Sequence, residues 1–168
     1  MSRPRRPRSP GPRLTRKEMT TLDALQHAAR IHHDLREASS LPGLLAAGFD
    51  AFEAIRLLAR GNENRDPGLF AAFMMAADAA VDGREALTIS PSLPPASRPQ
   101  PAVTPASSAS LDDIADAMAS LAGLLADCLS RAAATAAITG DRASCHEAAH
   151  AAETIRQLMA RDDDPDPG

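Results

Sequence analysis

Residues 111–134 read LDDIADAMASLAGLLADCLSRAAA, and the order of apolar and polar letters in them decides what this chain can build. Leu111, Ile114, Met118, Leu121, Leu125, Cys128 and Ala132 recur every three or four residues, which at ~100° per residue puts them on one side of a helix. Ser110 stands in front as a cap, and Asp112, Asp113 and Asp116 sit where the positive end of the helix favours them. Alanine is the strongest helix former and a poor strand former, and stretches rich in Val, Ile, Thr and aromatics are almost absent.

The same character extends outward. The chain has 168 residues, 44% of them apolar, with no Trp, no Tyr and four Phe. That is enough for one ordinary domain, whose core has to be made of Leu, Ile, Met and closely approaching Ala faces. The fold expected is all-α with about five amphipathic helices. Residues 15–89 form a three-helix up-down-up unit and residues 110–161 a helical hairpin. Between them, residues 90–109 form a Pro/Ser/Ala linker of polyproline character that can span roughly 60 Å. Residues 1–14 read as a disordered Arg/Pro-rich arm and residues 162–168 as an acidic tail.

Local signals divide the helices. Thr15 to Glu18 has the spacing of a reciprocal cap, which starts the first helix at Thr15 and carries it to about Ser39. Its apolar side holds Leu22, Leu25, Ala28, Ala29, Ile31 and Leu35, with His32 among them, and its polar side holds Asp23, His27, Arg30, Asp34 and Glu37. Pro42 suits the first turn of a second helix, which Gly61 ends in a left-handed conformation. Asp66-Pro67 opens a third helix with Phe70, Phe73, Met74, Ala77 and Val81 inward, closed by Pro91. Gly140 breaks the fourth helix and Asp141 caps the fifth. The hairpin needs a third surface to cover its Leu, Ile and Met stripe; docking on the first unit, the preferred reading, supplies one, and pairing with a second copy is the alternative.

Net charge is −4, but it is divided unevenly. Arg3, Arg5, Arg6, Arg8, Arg13, Arg16 and Lys17 give the first 17 residues seven positive charges and no acid, leaving 11 basic against 22 acidic residues after them. Such an arm suits an acidic partner, contacts nucleic-acid phosphates without reading sequence, or folds back on its own body. Base stacking lacks aromatics, and no candidate recognition helix is basic. Cys128 and Cys145 make no disulfide framework, no secretory signal follows the arginine-rich start, and no run of ~18 uninterrupted apolar residues occurs, so a cytoplasmic protein with no membrane contact is expected.

One string points to an enzyme. His146-Glu147-Ala148-Ala149-His150 has the spacing of zinc peptidases, with two imidazoles one turn apart and a carboxylate beside them. The apolar side of this helix, however, is set by Ala148, Ala152, Ile155 and Met159, which turns both histidines toward water. Glu153 completes a set of metal candidates, His146, His150 and Glu153, strung along one exposed helix, and no metal is expected there. Glu147-x-x-His150 is half of a di-iron signature that has no second half in this chain. The two cysteines, one on each helix of the hairpin, lie roughly 10 Å apart in level and stay free thiols.

The reading that remains is a small soluble helical protein without catalytic residues or cofactor, a protein–protein interaction or regulatory module. Its partner is another protein or a second copy, and the arm adds affinity. An accessory nucleic-acid-binding protein using the arm is the alternative, and a zinc metallopeptidase through HEAAH comes third.

Overall fold

The computed structural model describes residues 21–95, 102–104 and 108–160. The arm at 1–14, the Thr15–Glu18 cap and the tail at 162–168 lie outside them. The fold is all-α, with five helices among the described residues: α1 (Ala24–Glu37), α2 (Leu41–Asn62), α3 (Phe70–Thr88), α4 (Leu111–Thr135) and α5 (Thr139–Met159). Two three-residue strands, β1 (Thr21–Asp23) and β2 (Ala102–Thr104), pair in parallel, with Thr21 opposite Ala102 and Asp23 opposite Thr104.

That pairing corrects the expected start of the first helix. Thr21–Asp23 is extended, and the Asp23 carboxylate accepts the Leu25 amide at 2.9 Å, so the cap lies at Asp23. Sequence periodicity ran through this point because a side-chain cap and a strand ladder leave no trace in an apolar stripe. Ser40 caps α2 by accepting from the Gly43 amide at 3.2 Å, with Pro42 in the first turn where its missing N–H costs nothing.

Three other boundaries differ from expectation. Gly61 does not end α2, and no described glycine has a positive φ; the helix runs on to Asn62, whose amide donates to Leu58 O at 2.7 Å. Asp66 forms a turn, accepting from the Gly68 amide at 2.8 Å, and α3 begins only after it at Phe70. Gly140 and Asp141 lie inside the first turn of α5, because the chain reverses earlier, through extended Ala136 and Ile138.

Side-chain contacts fix the directions. Arg60 of α2 meets Asp78 of α3 at 2.6 Å and Glu53 meets Arg84 at 2.5 Å, so these helices run antiparallel. The Arg84 guanidinium also lies 5.2 Å from the centre of the Phe49 ring. Gly123 of α4 faces Arg156 of α5, and Arg142 reaches back to Ala136 O, again antiparallel. Gly48 of α2 faces both Leu87 of α3 and Leu125 of α4, and Arg65 just beyond α2 donates to Ala109 O just before α4. Helices α2, α3, α5 and α4 therefore form a ring of antiparallel neighbours, and α1 lies against α2 and α4. Because α3 and α4 point the same way, the segment joining them has to return the length of the bundle. Helix α4 is about 37 Å long at 1.5 Å per residue, within the linker's reach.

One continuous core fills the ring, with Phe52, Phe73, Leu45, Ile55, Leu58, Leu87, Met118, Leu121, Leu125 and Ile155 buried. Helix α4 is long and apolar enough by length and composition to cross a membrane, although half of its apolar window is buried inside the bundle. Two stripes are rotated from expectation. Helix α3 turns Phe73, Ala76, Ala77, Ala80 and Gly83 inward, leaving Phe70 39% exposed and Val81 only partly buried. It is apolar around most of its circumference, so its rotation is set by how closely α2 and α5 can approach its small residues.

The other is α1, where His27 is buried and His32 lies at the edge, 3.5 Å from Ser120 Oγ. Because α1 packs on two helices, its buried stripe is wider than an apolar pattern shows, and position 27 falls within it. Among the described residues neither nitrogen of the His27 ring has a hydrogen-bond partner. Burial, then Arg30, lowers its pKa, against the weaker opposing pull of Asp50 and Asp34. A lowered folded value means that acidification from neutral pH through the ordinary histidine range protonates the unfolded chain first and weakens the fold. His27→Leu should therefore raise stability at pH 7 by about 1 kcal/mol, the scale of one unsatisfied buried polar group. It should also flatten the loss of stability between about pH 7 and pH 5. Urea denaturation at both pH values checks the pair of effects.

Candidate functional site

The seven basic residues Arg3, Arg5, Arg6, Arg8, Arg13, Arg16 and Lys17 lie outside the described residues. The HEAAH residues are all on α5. Ala148, Ala152, Ile155 and Met159 are buried, while His146, Glu147 and His150 are exposed, which follows from their place on the opposite side of the helix. Glu153 is already engaged: Arg156 donates to it at 2.8 and 2.5 Å and Gln157 at 2.9 Å. These contacts, Arg156 first, hold its carboxyl down at about 2. A metal at this site would have to displace a guanidinium from the third donor. Among the described residues no group of three or more His, Cys, Asp or Glu is placed to hold a metal ion. His150 and Glu147 border an open groove of about 530 Å³ between α5 and α3, facing Asp82, Glu85 and the exposed Ile89.

Asp141 has a structural part that sequence reading missed. It is fully buried at the start of α5, where it accepts from Ser90 Oγ at 2.5 Å, Ser92 Oγ at 2.6 Å and the Ser92 amide at 3.0 Å. Burial by itself would push the carboxyl up; the bonds from Ser90 and Ser92 outweigh it and hold the carboxyl below the usual aspartate range. Pro91 packs beside it, so close to Gly140 that an added Cβ there would lie 3.0 Å from the ring. The end of α3 is thereby tied to the start of α5.

The larger open site is a cleft of about 690 Å³ where the end of α1, the start of α2 and the last third of α4 meet. Leu35, Leu41, Leu44, Leu124, Ala132 and Ala136 give it an apolar floor, and Ser39, Ser40, Thr135 and the Cys128 thiol add small polar groups. Arg36 and Arg131 line it, and Arg142 donates to Ala136 O at its edge, at 3.1 Å. Among the described residues no carboxylate lines it. Arg131 Nη2 lies 3.4 Å from Cys128 Sγ, a weak acceptor. Both cysteines are free, on separate levels of α4 and α5. Burial, then Asp141, raises the pKa of Cys145, which keeps that thiol protonated near neutral pH.

No protein-family model, curated protein or solved structure matches this chain.

The cleft's residues come from positions 35–44 and 124–137. No motif spans that separation, and only the docking of α4 beside the α1–α2 corner brings the two sets together. A local signal does exist for the engaged arginines: Arg56 and Arg156 each follow a glutamate by three residues and pair with it.

Proposed function

We propose that the chain is a non-enzymatic protein–protein interaction module whose partner is acidic. The observation that carries this reading is the open cleft, floored by leucines and alanines and bordered by arginines without a carboxylate. In a body that is acidic overall beyond residue 17, an acid-free positive cleft suits a ligand of opposite charge. The basic arm favours the same kind of partner, so both features select in one direction.

The test is affinity isolation from cell extract with the full-length chain and with a chain lacking residues 1–14, together with native mass. A specific protein captured stoichiometrically, more weakly without the arm and in elevated salt, is the expected result. Turnover of a peptide substrate would overturn the reading, and so would stoichiometric zinc that is lost in His150→Ala. The second reading, nucleic-acid binding through the arm, rests on the seven basic residues before position 18. Salt-dependent binding to duplex DNA that disappears on deletion of residues 1–14 would favour it.

A further inference from the structure

We infer that the cleft between the α1–α2 corner and the end of α4 is the docking site for a short acidic segment of a partner protein, one that carries leucine-like side chains between its carboxylates. This rests on the interaction reading above and adds where the partner binds and what it presents.

The arginines carry the argument. Arg56, Arg60, Arg84 and Arg156 each form an ion pair with a carboxylate on their own helix or a neighbouring element. Arg36, Arg131 and Arg142 form none among the described residues, nor do Arg30 and Arg65, which do not line the cleft; the only side-chain hydrogen bonds that the first three make there go to a thiol and a backbone carbonyl. A guanidinium has five N–H donors in a fixed fork suited to carboxylates, so most of this donor capacity remains open. The three come from three different helices, α1, α4 and α5, around one cleft. A segment with several carboxylates matches donors distributed over three helices better than one compact anion does.

The floor states the second requirement. Leu41, Leu44 and Leu124 are partly buried on the fringe of the core, where incoming apolar side chains would complete their cover. A space of about 690 Å³ lies in the range that specific ligands occupy. It is partly open to solvent, which admits a segment of a longer chain.

The chain's own acidic residues fit less well. Asp162–Asp166 follow Ala160, and Arg142 lies 18 residues back along α5, about 27 Å at 1.5 Å per residue. The six residues that lead to Asp166 extend about 20 Å, so the tail would have to be fully extended along α5 to bring one carboxylate to the Arg142 guanidinium.

The test uses the full-length protein and three probes. The first is 8-anilinonaphthalene-1-sulfonate, an apolar ring system with one anionic group. The second is a twelve-residue peptide with Leu at every third or fourth position and Glu between, and the third is its Lys-for-Glu counterpart. Saturable fluorescence with one dye per chain is expected, displaced by the Glu peptide and not by the Lys peptide. In Arg36→Gln/Arg131→Gln, with helix content unchanged, the Glu peptide should bind at least tenfold more weakly at low salt. It should also slow alkylation of Cys128 in the parent protein. Failure of the Glu peptide to displace the dye, or equal binding by the double variant, would overturn the assignment. Severalfold tighter peptide binding after removal of residues 161–168 would make the tail the occupant, and a dimer that the peptide dissociates would make it a second copy; either result overturns it. Partner capture that survives in the double variant leaves the interaction reading standing and removes the cleft from it.

Discussion

Gly83→Ala is expected to destabilise the protein by about 3 kcal/mol, the upper part of the range for overpacked cores. A Cβ at position 83 would lie 2.3, 2.4 and 2.8 Å from three carbons of the Phe52 ring, and Phe52 is itself fully buried. Helix propensity alone argues the opposite sign, since alanine exceeds glycine by about 1 kcal/mol inside a helix. The direction of the measured change therefore decides between packing and propensity. Phe52→Leu should recover part of the loss in the double variant, although alone it removes buried volume and costs stability. Denaturant titration of the four proteins gives the coupling, and additive effects would show that the ring and the glycine do not press on each other.

The second large effect is expected at Asp141. Asp141→Ala removes an acceptor that satisfies Ser90 Oγ, Ser92 Oγ and the Ser92 amide, and leaves one buried and two partly buried donors without it. Hydrogen bonds to a charged group contribute about 1.5–3 kcal/mol each, and lost donors add their desolvation, so a loss of about 3 kcal/mol or more is expected. Asp141→Asn keeps the shape and loses less. The folded carboxyl sits below the unfolded one, so its contribution is fully present above the ordinary aspartate value of about 3.9 and disappears as pH falls through the lower folded value. Stability measured by urea denaturation followed by circular dichroism should therefore fall more steeply with acidification below about pH 4 in the parent than in the Asn variant, whose total stability is lower but flatter in that window. An unchanged pH slope in Asp141→Asn would refute the linkage.

What the sequence disclosed, and what it withheld, has a common cause. The inner stripe of α4 and the outward turn of the α5 histidines were legible because each helix has one strongly apolar side with charge opposite. Helix α3 has apolar residues nearly all round, so Phe73 and Ala77 were legible as inward but only its neighbours could choose Ala76, Ala80 and Gly83 over Phe70 and Val81. His27 was misplaced because a helix packed on two partners buries more than its apolar letters. Gly140 and Asp141 carried the ordinary signs of a break and a cap, but Asp141 was drawn instead into bonds with residues some fifty positions away. The cleft shared that handicap, since its two halves are nearly ninety residues apart and neither contains a motif.

The ring has a consequence for how the molecule comes together. Its two antiparallel hairpins, α2 with α3 and α4 with α5, are each built from near neighbours in the chain and close quickly, whereas mating them waits for an excursion of more than twenty residues. The slow event in folding should then be the meeting of preformed halves, and the Ser90–Asp141 clasp, which belongs to neither hairpin alone, should tighten only at the end.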